Sequence, residues 1–142
     1  MPEQVATIEK VFLLQNCELF SDATAEELLA LANIAKEEEY GKGDTIFAAG
    51  ESSSSFYFVV RGRVRLESRI KNIHEEAAEH QTIGVLSVLT GGPRSYSATV
   101  EEESLLLRID AEDFYDYLSD EIEVAKGILQ FLARQLPEKA VI

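Results

Sequence analysis

The chain has 142 residues with a formal net charge of −13 at pH 7, and Cys17 is its one cysteine. A chain of this length forms a single domain over residues 1–142, the cysteine cannot form an internal disulfide bond, and so acidic a surface disfavours contact with nucleic acid. No apolar run approaches the ~20 residues that span a membrane, and the first residues lack a signal peptide, so we expect a cytoplasmic protein with no membrane contact.

The first quarter of the chain predicts helices, at about residues 3–36. Apolar residues such as Val11 and Leu14 recur at spacings of three and four, which is the period of a helix with one buried face. Residues 21–24 interrupt this pattern, and Thr24 followed by Glu27 has the spacing of a helix-starting capping box. Within this pattern we expect Cys17 to be a small buried side chain.

From Glu37 the pattern changes to short β-rich runs separated by glycine turns, and it continues to about residue 110. Gly62 predicts a tight bend, after which Val64, Leu66 and Ile70 alternate with charged residues, as in a strand with one apolar face. Evenly spaced strands and turns of this kind predict a barrel or a jelly-roll-like sandwich rather than a parallel sheet.

Residues 71–81 are polar and predict an exposed hairpin that carries His74 and His80. A metal enzyme of the cupin type is the enzymatic alternative for such an architecture. Cupin ligands include a His-x-His pair and a later histidine, whereas this chain has no His-x-His and no histidine after His80. We therefore expect solvated histidines, no metal and no enzymatic activity.

Residues 82–94, T-I-G-V-L-S-V-L-T-G-G-P-R, predict a strand end, a glycine turn, one helical turn at 86–89 and a loop that returns Arg94 toward the turn. The first backbone N–H groups of a helix have no partners within it and lie at its positive end. The planar guanidinium of Arg94 could close over the same ligand. The segment therefore predicts an anion-binding site.

This segment resembles the phosphate-binding cassette of cyclic-nucleotide-binding domains, whose usual form is F-G-E-L-A-L-x-x-x-x-P-R-A-A-T-V. Two earlier segments, K-G-D-x-I-F-x-x-G-E at 42–51 and F-Y-F-V-V-x-G-x-V at 56–64, are similar to the first half of the β-roll of that family. The three motifs occur in the family's order, and the resemblance covers roughly residues 19–136. It implies a mainly β fold, an antiparallel β-roll with flanking helices at both ends of the sequence.

The resemblance also implies a ligand, cAMP or cGMP, with no cofactor required. Gly84 would let the phosphate approach the backbone, the N–H groups of Leu86 and Ser87 would hold it, and Arg94 would neutralise its charge. Val85 stands where the family has a glutamate that accepts the ribose 2′-hydroxyl. The candidate ligand-binding residues are Gly84, Val85, Leu86, Ser87, Arg94, Ser95, Tyr96 and Ser97.

The spacing after the cassette also departs from the family. Two more residues separate Arg94 from Thr99 than in the family's R-A-A-T-V. Counting forward from Gly84 puts Arg94 in the phosphate position, and counting back from Thr99 puts Tyr96 or Ser97 there.

Residues 111–136 predict two helices, with a break at 119–120 and a stop at Pro137. Apolar residues cover more than one face of the last helix, so it needs a second contact, as a lid over the pocket or as a partner helix. We expect a homodimer through some of Ile122, Val124, Ile128, Phe131 and Leu132. No DNA-binding, kinase or channel segment follows, so the signal would pass to a separate effector protein.

Two functions remain open. The first is a stand-alone sensor that binds a cyclic nucleotide or a related small anion and signals through its last helix. The second is a degenerate member of the same fold, an interaction or dimerisation module without nucleotide binding. In the second, the pocket is empty or filled by the protein's own side chains. The plain structural interpretation of Arg94 is a surface loop arginine paired with one of the many acids.

Overall fold

The computed structural model describes residues 4–141, without the side chain of Val141, so Glu3 at the start of the predicted helical region lies outside the described residues. Helix α1 spans Thr7–Gln15 and α2 spans Ala25–Ile34, with a 3-10 turn at Glu18–Phe20 between them. The Thr24 hydroxyl accepts a hydrogen bond from the Glu27 N–H at 3.1 Å, and the Glu27 carboxylate accepts one from the Thr24 N–H at 2.9 Å. The predicted capping box is therefore confirmed.

Six strands form one antiparallel sheet around the two long strands β3 and β6. Their bounds are Lys36–Tyr40 (β1), Thr45–Phe47 (β2), Ser55–Ser68 (β3), Ile73–Ala77 (β4), Thr82–Ile83 (β5) and Ser97–Asp110 (β6). The order across the sheet is β1-β6-β3-β4, while β2 also pairs with β6 and β5 with β3. The predicted antiparallel β-roll, flanked by helices at both ends of the sequence, is confirmed.

The bend predicted at Gly62 lies inside a strand rather than between two. Register shifts interrupt the pairing of β3 with β6 between Val59 and Val64, and Gly62 has a φ of +109° at their centre. Bulges of this kind bend and twist a strand pair without ending it. The alternation predicted for the next residues therefore stops early, and Ile70 is 97% exposed in the turn after β3 instead of on an apolar face.

Alternate residues of β3 enter two different cores. Phe56 and Phe58 pack against α1, α2 and the C-terminal helices, together with Leu107 and Ile109 of β6. Tyr57 and Val59 face the interior of the roll. Because successive side chains of a strand point to opposite faces, one strand holds the helices and the roll together.

Helix α4 spans Ala111–Asp120 and α5 spans Ile122–Gln135, so the break falls at Glu121, one residue later than predicted. Val124 and Ile128 of α5 are buried in the domain's own core, which removes them from the predicted dimer contact.

Between residues 4 and 141, no helix combines the length and the hydrophobicity needed to cross a bilayer.

Candidate functional site

The segment predicted to bind an anion folds as a strand, a glycine turn and a short helix, α3, at Val85–Thr90. Gly84 at its start has a φ of +81° and Gly91 at its end has a φ of +72°. Both angles are in the left-handed region, which glycine adopts without the steric cost that a side chain brings. The loop after Gly91 then leads back to Arg94.

The backbone of Arg94 is fixed by the turn that follows β2. Its N–H donates to the Glu51 carbonyl at 2.8 Å, and its carbonyl accepts from the Gly50 N–H at 2.8 Å. The G-E pair at 50–51, which the sequence identified as a turn, therefore also holds the cassette loop. This pairing directs the Arg94 side chain inward, where it is 5% exposed.

The guanidinium of Arg94 is bound by neutral groups. Nη1 donates to the Gly84 carbonyl and to the Ser87 hydroxyl, both at 3.1 Å, and Nη2 donates to the Ser55 carbonyl at 2.5 Å. Cζ lies 4.0 Å from the centre of the Phe47 ring, and Nε is buried without an acceptor among the described residues. The alternative in which Arg94 is a surface residue paired with an acid is therefore wrong.

Burial lowers the pKa of Arg94, but an arginine guanidinium stays protonated in proteins. A buried charge is costly unless an opposite charge or a full set of hydrogen bonds compensates it. Arg94 has neither a carboxylate partner among its hydrogen bonds nor an acceptor for Nε. The site is therefore suited to accept an anion.

The residues after Arg94 divide between the site and the scaffold. The Tyr96 hydroxyl accepts a hydrogen bond from the Gly84 N–H at 2.7 Å, so this phenol lies at the glycine turn. The Ser97 hydroxyl instead accepts from the Ala49 N–H at 2.9 Å, which ties β6 to the turn after β2. Arg94 and Tyr96, which the two ways of counting each placed at the phosphate, therefore both lie at the glycine turn, and Ser97 does not.

A cavity of about 830 Å³ lies between the cassette, the roll wall and α5. Its volume is in the range of sites that hold drug-sized ligands. All the predicted site residues except Ser97 line it, namely Gly84, Val85, Leu86, Ser87, Arg94, Ser95 and Tyr96. From α5 it is lined by Phe131, Leu132 and Gln135, with Leu136 following, so the last helix forms one side of the cavity.

Other lining residues were missed by the sequence analysis. Residues 16–19, before α2, and residues 79–82, at the end of the β4–β5 connection, contribute to the cavity. Phe47 contributes too, with its ring under the guanidinium of Arg94. These residues reach the cavity through the folding of the chain, which local sequence patterns do not show. The one sequence signal that could have indicated a lining residue was that Phe47 belongs to the K-G-D-x-I-F motif.

The histidines lie in different environments. His74 is exposed, as expected, whereas His80 has a φ of +70°, lies 6.2 Å from the Phe58 ring and forms part of the cavity wall. Over residues 4–141, no group of three or more His, Cys, Asp or Glu side chains could hold a metal ion. Cys17 is a buried free thiol that also lines the cavity, and burial raises its pKa.

The structure thus combines a β-roll, a ligand-sized cavity, a buried arginine in the cavity wall and a helix along one side of it. The model of the cyclic nucleotide-binding domain family matches residues 37–121. The chain belongs to that family.

Its relatives include regulators. It is 26% identical over 128 residues to the CRP-like cAMP-activated global transcriptional regulator of Mycobacterium tuberculosis, covering 87% of this chain and 57% of that protein. The structure of the N-terminal domain of a transcriptional regulator from Streptomyces coelicolor superimposes with a TM-score of 0.76 at 28% identity, over 87% and 91% of the two chains. The chain spans about half the length of the curated regulators it matches.

A third likeness concerns the fold alone. The regulatory subunit of a cAMP-independent protein kinase A from Trypanosoma brucei superimposes with a TM-score of 0.77 at 21% identity, over 92% of this chain and 46% of that one.

Proposed function

We propose that this domain is a regulatory sensor that binds a cyclic nucleotide or a related small anion in the cavity, with Arg94 supplying the positive charge. The observation that carries the proposal is a buried guanidinium, bound only by neutral groups, in the wall of an 830 Å³ cavity. An anion beside it would compensate a charge that neutral groups alone now surround. Family membership supports cAMP or cGMP as the first ligands to test.

The proposed signal passes through α5. Phe131 and Leu132 line the cavity, while Ile122 and Leu129 of the same helix are 71% and 68% exposed. A ligand that contacts Phe131 and Leu132 would favour one position of α5. That position would determine which partner the exposed face with Ile122 and Leu129 can bind. We propose that the exposed side binds a second copy of the chain, with a separate effector protein as the other candidate partner.

The domain itself is not proposed to bind nucleic acid, catalyse a reaction or contact a membrane. Its charge of −13 opposes the approach of a polyphosphate. The cavity contains the single strong cation Arg94 among its described lining residues, which suits a small ligand better than a polymer. A longer protein that contains this domain could place other activities elsewhere.

A second candidate function is the degenerate module. It is favoured by the three hydrogen bonds that Arg94 donates within the chain and by Val85, which offers no acceptor to a ribose hydroxyl. In that case Arg94 would be a structural residue that fastens α3 to β3. The cavity would then serve no ligand.

Isothermal titration with cAMP, cGMP and uncharged adenosine tests the proposal. We expect a cyclic nucleotide to bind and adenosine to bind at least about tenfold more weakly, because a charge-assisted hydrogen bond contributes about 1.5–3 kcal/mol. Arg94→Gln should remove this preference, because a neutral amide cannot supply the charge that the anion needs. Arg134→Gln is the matched control, because Arg134 is 63% exposed and pairs with Asp22.

Urea unfolding of both variants separates the two candidate functions. If Arg94→Gln destabilises the fold while no nucleotide binds the unsubstituted protein, the structural role of Arg94 is the correct one. Binding of cAMP or cGMP that is unchanged in a folded Arg94→Gln variant would contradict the proposed site.

A further inference from the structure

Most of the surface that lines the cavity is apolar. Leu19, Val85 and Leu86 line it on the domain side, and Phe131, Leu132 and Leu136 line it on the α5 side. Val85 is 9% exposed and stands beside the glycine turn, so the wall next to the anion site carries no hydrogen-bond acceptor at that side chain. A ligand hydroxyl placed against Val85 would lose its bond to water there without replacement.

The charges around the cavity restrict the ligand to one negative charge. Arg94 is the one lysine or arginine among its described lining residues, and Glu18 and Glu79 also line the cavity. A second negative charge on the ligand would find no cation and would face two carboxylates in a protein of net charge −13. Like charges without compensation oppose binding, so a dianion is disfavoured.

Tyr96 provides a second group for the anion. Its oxygen accepts the Gly84 N–H bond, and among residues 4–141 no acceptor is found for the proton of its own hydroxyl. Burial raises the pKa of Tyr96, so the phenol is neutral and keeps that proton at physiological pH. The bond from Gly84 fixes the oxygen in the cavity wall, where its O–H is available to a ligand.

We infer that the ligand is a monoanion with an apolar or aromatic body, bound through its negative group to Arg94 and to the hydroxyl of Tyr96. This inference rests on the proposed function, because both need an anion at Arg94. Beyond that shared anion, Tyr96 is a specificity-determining residue, and sugar hydroxyls are unnecessary for recognition of the ligand.

Three probes of one shape test the ligand class by isothermal titration: naphthalene-2-methanol, naphthalene-2-sulfonate and naphthalene-2,6-disulfonate. The monoanion should bind at least about tenfold more tightly than either the neutral compound or the dianion, since only it gains a charge-assisted bond without an uncompensated charge. Equal binding of the neutral compound, or tighter binding of the dianion, would overturn the inference.

Tyr96→Phe tests the assigned residue. It should weaken binding of naphthalene-2-sulfonate by about threefold to thirtyfold and binding of naphthalene-2-methanol by less, because a hydrogen bond to a charged acceptor is stronger than one to a neutral hydroxyl. Tyr117→Phe is the control, since its hydroxyl donates to the Glu27 carbonyl between α4 and α2 and does not line the cavity. Unchanged sulfonate binding in a folded Tyr96→Phe variant would remove Tyr96 from the site.

Competition with cAMP distinguishes failure of this inference from failure of the proposed function. Sulfonate binding that depends on Tyr96 and is not displaced by cAMP would support the inference and reject a cyclic nucleotide as the ligand. Binding of cAMP without any binding of naphthalene-2-sulfonate would support the cyclic-nucleotide function and overturn the inference.

Discussion

The Nη1 atom of Arg94 lies against the α-carbon of Gly84, so close that a Cβ built on this glycine would be 2.4 Å from it. From the sequence, Gly84 is expected to let a phosphate approach the backbone. In the structure the arginine of the same cassette also approaches this glycine. Gly84 therefore has two roles, because it adopts a positive φ and it leaves the space in which the guanidinium rests.

We predict that Gly84→Ala lowers both the stability and the anion affinity of the domain. The left-handed backbone costs alanine about 1–2 kcal/mol, and the added methyl group must also displace Arg94. Gly91→Ala is the matched control, because Gly91 has a similar φ of +72° but no atom within 4 Å of the added carbon. Urea unfolding and ligand titration should show the loss of affinity in Gly84→Ala alone. Equal affinities in the two variants would contradict the role of the close approach between Arg94 and Gly84.

A carboxylate at position 85 should increase affinity for a ribose cyclic phosphate. Val85 lines the cavity, and Val85→Glu would supply an acceptor for the 2′-hydroxyl. A restored bond of about 1–3 kcal/mol corresponds to roughly tenfold to hundredfold in the affinity for cAMP. Titration with 2′-deoxy-cAMP is the control, since its affinity should not rise. A similar rise for both nucleotides would show that the gain comes from another cause.

The exposed stripe on α5 should mediate the proposed dimer. Ile122 and Leu129 lie seven residues apart on α5 and are 71% and 68% exposed. A heptad spacing of apolar residues is typical of a helix that packs along a partner helix. Leu129→Glu should therefore shift the mass measured by sedimentation from dimer to monomer at micromolar concentration, whereas Gln130→Glu, on the next exposed position, should not. A monomeric unsubstituted protein would reject the dimer and leave the stripe to a separate partner.

Asp110 should make stability depend on pH in the acid range. Burial alone would raise its pKa, but hydrogen bonds from Lys36 and Ser55 and the charge of Arg108 lower it. A carboxyl whose pKa is lower in the folded state stabilises the protein above its unfolded pKa of about 3.9, and this contribution is lost as pH falls through the folded value. Asp110→Asn should remove it.

The measurement is urea unfolding from about pH 7 to about pH 3. The unfolding free energies of the unsubstituted protein and Asp110→Asn should differ most near neutral pH, by less than about 1 kcal/mol for so exposed an ion pair. The two values should converge in acid. Asp116→Asn, at an exposed position of α4, is the control. A difference that grows toward low pH would contradict the assignment.

Gly62→Ala should be among the most damaging single substitutions in the roll. A Cβ there would lie 1.9 Å from Oγ, 2.5 Å from Cβ and 2.7 Å from the α-carbon of Ser104. The left-handed φ and the overpacking together should cost about 2–5 kcal/mol of unfolding free energy. Gly43→Ala has a φ of +92° and open space, so it isolates the backbone cost. Ser104→Gly should rescue only in part, because the backbone at position 104 would still lie too close to the added methyl group.

Local patterns in the sequence predicted the helices, a barrel or jelly-roll-like sandwich and the turns of the cassette, and the resemblance to a known family implied the antiparallel β-roll. Glycines with positive φ and the Thr24 capping box depend on neighbours in the chain. Such features are visible in residue order because they have a fixed period or a fixed turn chemistry. The same local signals could not show that Gly62 lies within a continuous strand, since a bulge and a turn both use glycine.

The location of the Arg94 side chain depends on tertiary contacts. Its inward direction depends on backbone bonds to Gly50 and Glu51, and its guanidinium rests on Phe47 and on Ser55. These partners lie about forty residues earlier in the chain, so no spacing near the cassette specifies them. Likewise α5 was predicted to need a second contact, but only packing showed that Val124 and Ile128 enter the core and Leu129 remains exposed. Apolar periodicity identifies a buried face, whereas the identity of the surface that buries it is a property of the folded chain.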